Sequence, residues 1–106
     1  MDIYGTDLSE NLYGTDFADY IDGWKGDDYI DGWKGDDTLL GYDGNDYMLG
    51  YDGNDTMYGE NGNDTLYGEA GFDMIYGGPG ADTFSYSEWL GGEVMDYNSW
   101  EGDILI

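Results

Sequence analysis

From Tyr4 to Phe84 the chain repeats itself every nine residues, and from the second repeat on every copy keeps an aspartate at one place. The column reads Asp19, Asp28, Asp37, Asp46, Asp55, Asp64, Asp73 and Asp82. Two residues ahead of it runs a glycine column, Gly26, Gly35, Gly44, Gly53, Gly62, Gly71 and Gly80. Three residues earlier runs a second one, from Gly5 and Gly14 through Gly23, Gly32, Gly41, Gly50, Gly59 and Gly68 to Gly77. An apolar residue comes two places after the aspartate position, from Leu12 and Ile21 to Ile75 and Phe84. A fixed period this short requires a solenoid, in which neighbouring repeats bury what no single repeat can.

The spacing has a chemical meaning. Calcium takes six to eight oxygen ligands from carboxylates and backbone carbonyls and tolerates irregular geometry. The stretch G-x-x-G-x-D offers both: glycines permit positive φ and turn carbonyls inward, and the aspartate adds one carboxylate to the same concavity. The three residues left over form a short strand whose middle side chain points in and whose neighbours point out. Leu39, Met48, Met57 and Leu66 are such inward residues. For one loop, a solvated turn aspartate would be the simpler explanation; eight in register argue against it.

Composition sharpens the argument. The 106 residues leave room for one domain and little conventional core. There are 25 acidic residues against two basic ones, Lys25 and Lys34, for a formal charge of −23. Acidic, glycine-rich chains usually stay unfolded, yet aromatic residues make up 18% of this one. The two facts agree if a cation completes the folded protein. The charge excludes nucleic acid as a partner, since no basic patch could displace its counterions. Membrane insertion is excluded too, because no apolar run reaches spanning length. Without cysteine or histidine there is no disulfide, no zinc–thiolate site and no ordinary general base. Carboxylate pairs can hydrolyse glycosides, but a regular array gives every coil the same pair, where catalysis needs one unique constellation. The chain is expected not to be an enzyme.

Segments such as Gly41-Tyr42-Asp43-Gly44-Asn45-Asp46 and Gly59-Glu60-Asn61-Gly62-Asn63-Asp64 carry a family resemblance. They resemble the nonapeptide of RTX (repeats-in-toxin) proteins, known from the C-terminal domains of serralysin-like proteases and RTX toxins. Nine consecutive repeats, about three quarters of the chain, share it. The resemblance implies an all-β fold, a right-handed parallel β-roll with two nonapeptides per coil and calcium between stacked loops. On one edge it pairs Asp28 with Asp46, Asp46 with Asp64 and Asp64 with Asp82. On the other it pairs Asp19 with Asp37, Asp37 with Asp55 and Asp55 with Asp73. That makes roughly six well-formed sites, and six to eight calcium ions with the ends included. Backbone carbonyls of Gly26, Gly35, Gly44, Gly53, Gly62, Gly71 and Gly80 are expected to complete them. The resemblance also implies type I secretion to the cell exterior; no N-terminal signal peptide is seen.

The ends depart from the pattern. Leu8 and Glu10 replace the second glycine and the aspartate in the first repeat, and Phe17 replaces the glycine in the next. Residues 1–21 are therefore expected to cap the roll, 22–84 to form its regular repeats, and 85–106 to close it. In the last segment Trp89, Tyr97, Trp100, Ile104 and Ile106 are candidates to cover the open coil, with Asp96 or Asp103 completing a final ion site.

Adjacent repeats also match in pairs. Gly23 to Asp28 is copied at Gly32 to Asp37, and Gly41 to Asp46 at Gly50 to Asp55. Duplication of single nonapeptides and deliberate construction, for example as a calcium- or lanthanide-responsive scaffold, account for this equally. The pairing puts Trp24, Tyr42 and Glu60 on one edge and Trp33, Tyr51 and Glu69 on the other. Outward tyrosines add Tyr13, Tyr29, Tyr47 and Tyr67 on one sheet, and Tyr20, Tyr58 and Tyr76 on the other. They either stiffen the strands or serve self-association or a protein or glycan partner. Trp24, Trp33, Tyr42, Tyr51, Tyr29 and Tyr47 are the candidate partner-binding residues.

Overall fold

Each repeat folds as one strand of three residues bracketed by turn chemistry. The strands are β1 (Asp2–Tyr4), β2 (Asn11–Tyr13), β3 (Tyr20–Asp22), β4 (Tyr29–Asp31) and β5 (Thr38–Leu40). They continue with β6 (Tyr47–Leu49), β7 (Thr56–Tyr58), β8 (Thr65–Tyr67), β9 (Met74–Tyr76) and β10 (Thr83–Ser85). Two shorter strands follow, β11 (Glu93–Val94) and β12 (Ile104–Leu105). The computed structural model describes residues 1–85, 93–94 and 102–105. Trp89, Asp96, Tyr97, Trp100 and Ile106, assigned above to the closing segment, lie outside the described residues.

The odd-numbered strands form one six-stranded sheet and the even-numbered strands another. All pairing is parallel, and it links each strand to its equivalent one coil along: Ile21 to Leu39 and Met57, Ile30 to Met48 and Leu66. This is the expected parallel β-roll. Thr, Tyr, Ile and Leu at the strand positions suit a pleated backbone, and glycine and aspartate on either side stop each strand after three residues.

The core is a single file. Ile21, Ile30, Leu39, Met48, Met57, Leu66 and Phe84 are fully buried between the sheets, with Leu12 and Ile75 nearly so. Parallel sheets normally need cover on both faces; here each inner face covers the other, and Tyr, Thr and Leu clad the outer ones. The cladding is partial burial in its own right. Leu49 points outward yet is 7% exposed, in register between Asp31 and Tyr67. Among the described residues no helix is long and apolar enough to cross a membrane.

The period slips at the C-terminal end, where β11 pairs with β9 at an offset of 19 residues, Glu93 opposite Met74. β12 joins β10 with Thr83 opposite Ile104, and Asp103 takes the place next to Asp82 after 21 residues where the interior coils use 18.

Candidate metal centre

The loops between strands stack as the strands do, and the aspartate column is the join. In each interior coil one carboxylate oxygen accepts the backbone N–H of the aspartate one coil earlier. On one edge Glu10 N donates to Asp28 Oδ1 at 2.9 Å, Asp28 N to Asp46 at 2.8 Å and Asp46 N to Asp64 at 2.9 Å. Asp64 N then donates to Asp82 at 2.9 Å, and Asp82 N to Asp103 at 2.8 Å. The other edge runs Asp19 to Asp37, Asp37 to Asp55 and Asp55 to Asp73, at 2.8 to 2.9 Å. Every column aspartate from Asp19 to Asp82, and Asp103, is buried.

The second oxygen is the informative one. Oδ2 of Asp28, Asp37, Asp46, Asp55 and Asp64 is sealed from solvent and accepts no hydrogen bond. A buried carboxylate oxygen left this way is costly unless a cation or donor meets it. Backbone carbonyls converge on the same spot. A Cβ built on Gly59 would lie 2.5 Å from Asp64 Oδ2 and 2.9 Å from Gly77 O; on Gly23 it would lie 2.7 Å from Asp28 Oδ2 and 3.2 Å from Gly41 O. Glycine is required there because oxygens from two successive coils occupy the space a side chain would take. The other glycine column is required by backbone contact: at Gly44, with φ of 108°, an added Cβ would fall on Gly26 O.

Burial pushes the carboxyls up, offset in part by the donated backbone N–H and reinforced by neighbouring carboxylates. Asp64 is pushed up to about 9, Asp55 to about 8, Asp37 and Asp46 to about 7, and Asp28 to about 6. Asp73 also rises to about 6, with burial the main cause. Near neutral pH, then, burial favours the protonated form of the most deeply placed carboxyls unless a cation meets them. Among the described residues no three Asp, Glu, His or Cys side chains converge at one point. The donor set is one carboxylate oxygen with backbone carbonyls, which suits a hard, geometrically tolerant cation such as calcium and excludes zinc's nitrogen and sulfur preferences.

The first coil is built differently. Thr15 donates its backbone N–H to Asp19 at 2.6 Å and its hydroxyl at 3.0 Å, and the N-terminal ammonium lies 3.3 Å from Asp19 Oδ1. Burial still pushes this carboxyl up, but Thr15 and the ammonium outweigh it, and the net shift is downward. Thr6 serves Glu10 in the same way through its N–H and hydroxyl. Threonine thus satisfies in the first coil what interior coils leave to something else.

The edge aromatics stand at strained positions. Trp24, Trp33, Tyr42, Tyr51, Glu60 and Glu69 all have φ between 64° and 70°, the left-handed region that disfavours side chains. Trp24 and Trp33 are about half exposed, while Tyr42 and Tyr51 are more covered than a bare edge would leave them. Each tryptophan reaches both ways: its indole N–H donates to Asp7 or Asp16 at 2.9 Å, and its ring meets Tyr42 or Tyr51 edge-on at about 6 Å. Lys25 and Lys34 are exposed, and Lys34 Nζ lies 5.8 Å over the Trp33 ring.

Sequence reasoning missed a second ladder. The residue before each column aspartate bonds along the axis: Ser9 Oγ accepts from Asp27 N, Asp27 from Asn45 N, Asn45 from Asn63 N, and Asn63 from Ala81 N. Its signal was the run of Asp or Asn at positions 27, 36, 45, 54 and 63. That run reads as turn composition until the coil stacking is known.

No curated protein matches the chain. The sequence profile of the RTX calcium-binding nonapeptide repeat, written over four copies, matches residues 4–39, 34–66 and 58–87. With the profile spanning nearly all of the repeats, and buried carboxylates set against loop carbonyls in coil after coil, the chain belongs to the RTX calcium-binding nonapeptide repeat family.

Proposed function

We propose that this chain is a non-catalytic calcium-responsive module, extended without the ion and wound into its roll by several ions at once. The observation that carries the reading is the sealed, undonated Oδ2 of interior aspartates such as Asp46 and Asp64, beside the carbonyl of a glycine one coil along. Asp28, Asp37, Asp46, Asp55, Asp64, Asp73, Asp82 and Asp103 supply carboxylates, with carbonyls of loop glycines such as Gly26, Gly44 and Gly62. Asp19, already held by Thr15, contributes least. Residues 1–21 act as a cap whose carboxylates need no metal, and residues 22–84 form the responsive part.

Calcium, when bound, supplies the positive charge that lets buried carboxylates ionise. The chain's own residues do the rest. Glycines hold the loops open to two coils, aspartates tie coil to coil through Oδ1, and the inward apolar file makes each added coil stabilise the next. In a secreted host protein such linkage keeps the chain unfolded where calcium is scarce and folds it outside the cell.

Light scattering after size exclusion, with circular dichroism, tests this in chelator and in millimolar calcium. The expected result is contraction and a gain of β signal in calcium, with six to eight ions per chain by calorimetry. An identical size and spectrum in both conditions would refute it. A second reading, a partner or self-association surface on the tyrosines, is favoured by the continuous contacts Tyr13–Tyr29–Tyr47–Tyr67. It expects a larger mass in calcium that Tyr29→Ser with Tyr47→Ser abolishes.

A further inference from the structure

The outer faces carry five tyrosine–tyrosine ring contacts among the described residues, and two differ in kind from the rest. Tyr58 and Tyr76 have centroids 4.9 Å apart with planes 7° from parallel. Tyr29 and Tyr47 lie 5.6 Å apart, also at 7°. The other contacts, Tyr4–Tyr20, Tyr13–Tyr29 and Tyr47–Tyr67, are tilted by 51° to 54°. The reason lies in the register. Tyr58 pairs directly with Tyr76 across β7 and β9, and Tyr29 with Tyr47 across β4 and β6. The tilted pairs are diagonal neighbours, so their rings cross. The parallel pairs sit one on each sheet, join consecutive coils, and lie in outer rows that are half-buried or exposed.

We infer that Tyr58–Tyr76 and Tyr29–Tyr47 are modification sites, at which a peroxide-dependent one-electron oxidant couples the two rings into dityrosine. Each phenol loses one electron and one proton to give a phenoxyl radical with spin on its ortho carbons. The two radicals join through an ortho carbon–carbon bond, and the ring hydrogens displaced there return to the phenol oxygens. One hydrogen peroxide accepts the two electrons and two protons and leaves as two waters. Rings held in register by paired backbones need no diffusional encounter, and this favours coupling within a pair over coupling between chains. The product is a covalent rung between consecutive coils on each sheet. It holds those coils together when cation is withdrawn, a consequence that rests on the calcium reading above.

The test uses the whole chain, dilute, in calcium, with a haem peroxidase and limiting hydrogen peroxide. The same reaction in guanidinium is the unfolded control, so the result does not depend on whether folding needs the ion. Trypsin cuts after Lys25 and Lys34 and releases residues 26–34, whose one tyrosine is Tyr29. Cleavage after glutamate separates residues 11–60 from 70–88, which divides Tyr58 from Tyr76. The expected products are monomeric and fluoresce as dityrosine. They join 26–34 to 35–106 and 11–60 to 70–88, each join lighter by two hydrogens. Tyr47→Phe should cut the first join, and Tyr58→Phe the second, about tenfold or more, since phenylalanine keeps the stack but cannot form the radical. Joins of unchanged yield in these variants, equal yield in guanidinium, or coupling only between chains would each overturn the inference.

Discussion

At the scale of the residue, the two oxygens of one aspartate have different fates. Oδ1 of Asp64 is spent on the backbone of Asp46, while Oδ2 is sealed without a donor. Asp64→Asn keeps an acceptor for the ladder but removes the charge. It is expected to weaken calcium binding in the adjoining sites about tenfold, or ~1.4 kcal/mol, read as a higher calcium midpoint and a lower ion count. Asp19→Asn is expected to change the midpoint much less, because Thr15 already serves that carboxylate. Equal effects from the two variants would mean that the hydrogen-bond environment does not decide which aspartates bind. At Gly44, alanine would press its Cβ onto Gly26 O at a φ that disfavours side chains. The expected cost is at least 1–3 kcal/mol, measured as loss of calcium-dependent β signal. Such roles were legible where one column meant one task, as for the buried aspartates. They were not legible for Trp24 and Trp33, because nothing in a nonapeptide tells that an indole will reach Asp7 or Asp16 in another repeat.

At the scale of the strand, each element contributes one side chain to the core, so no neighbour on the same strand can fill a loss. Leu39→Ala, in the fully buried file, is expected to cost about 2–5 kcal/mol. Ile3→Ala, at the partly exposed first coil, should cost clearly less. Thermal or denaturant melts in saturating calcium check the order, and a reversed order would place the core elsewhere. The strands were the most legible part of this protein. A three-residue window between aspartate and glycine can turn only its middle residue inward, and that residue is apolar in every repeat. Leu49 was less legible. Its near-burial on an outer face depends on which tyrosines stand beside it one coil away, and single-strand alternation carries no such information.

At the scale of the whole molecule, the raised aspartate pKa values add up. The folded chain without cation binds more protons than the unfolded chain, so its stability is fullest below the ordinary carboxylate range near 4 and is lost as pH rises through about 6 to 9. Metal-free protein taken from pH 8 to about 5, above its isoelectric point of about 4.1, is expected to gain β signal by circular dichroism. Over the same range the calcium midpoint should rise, since protons compete for the same oxygens. A metal-free spectrum that loses β signal on acidification would contradict the raised values. The closing coil shows what the molecule does not require. Asp103 occupies the place beside Asp82 although three extra residues intervene, so alignment is set by where a carboxylate can dock and not by how much chain leads to it. A lineage or a protein engineer can therefore lengthen the connection between β10 and β12, or splice a foreign peptide into it, and the coils on either side are expected still to find each other.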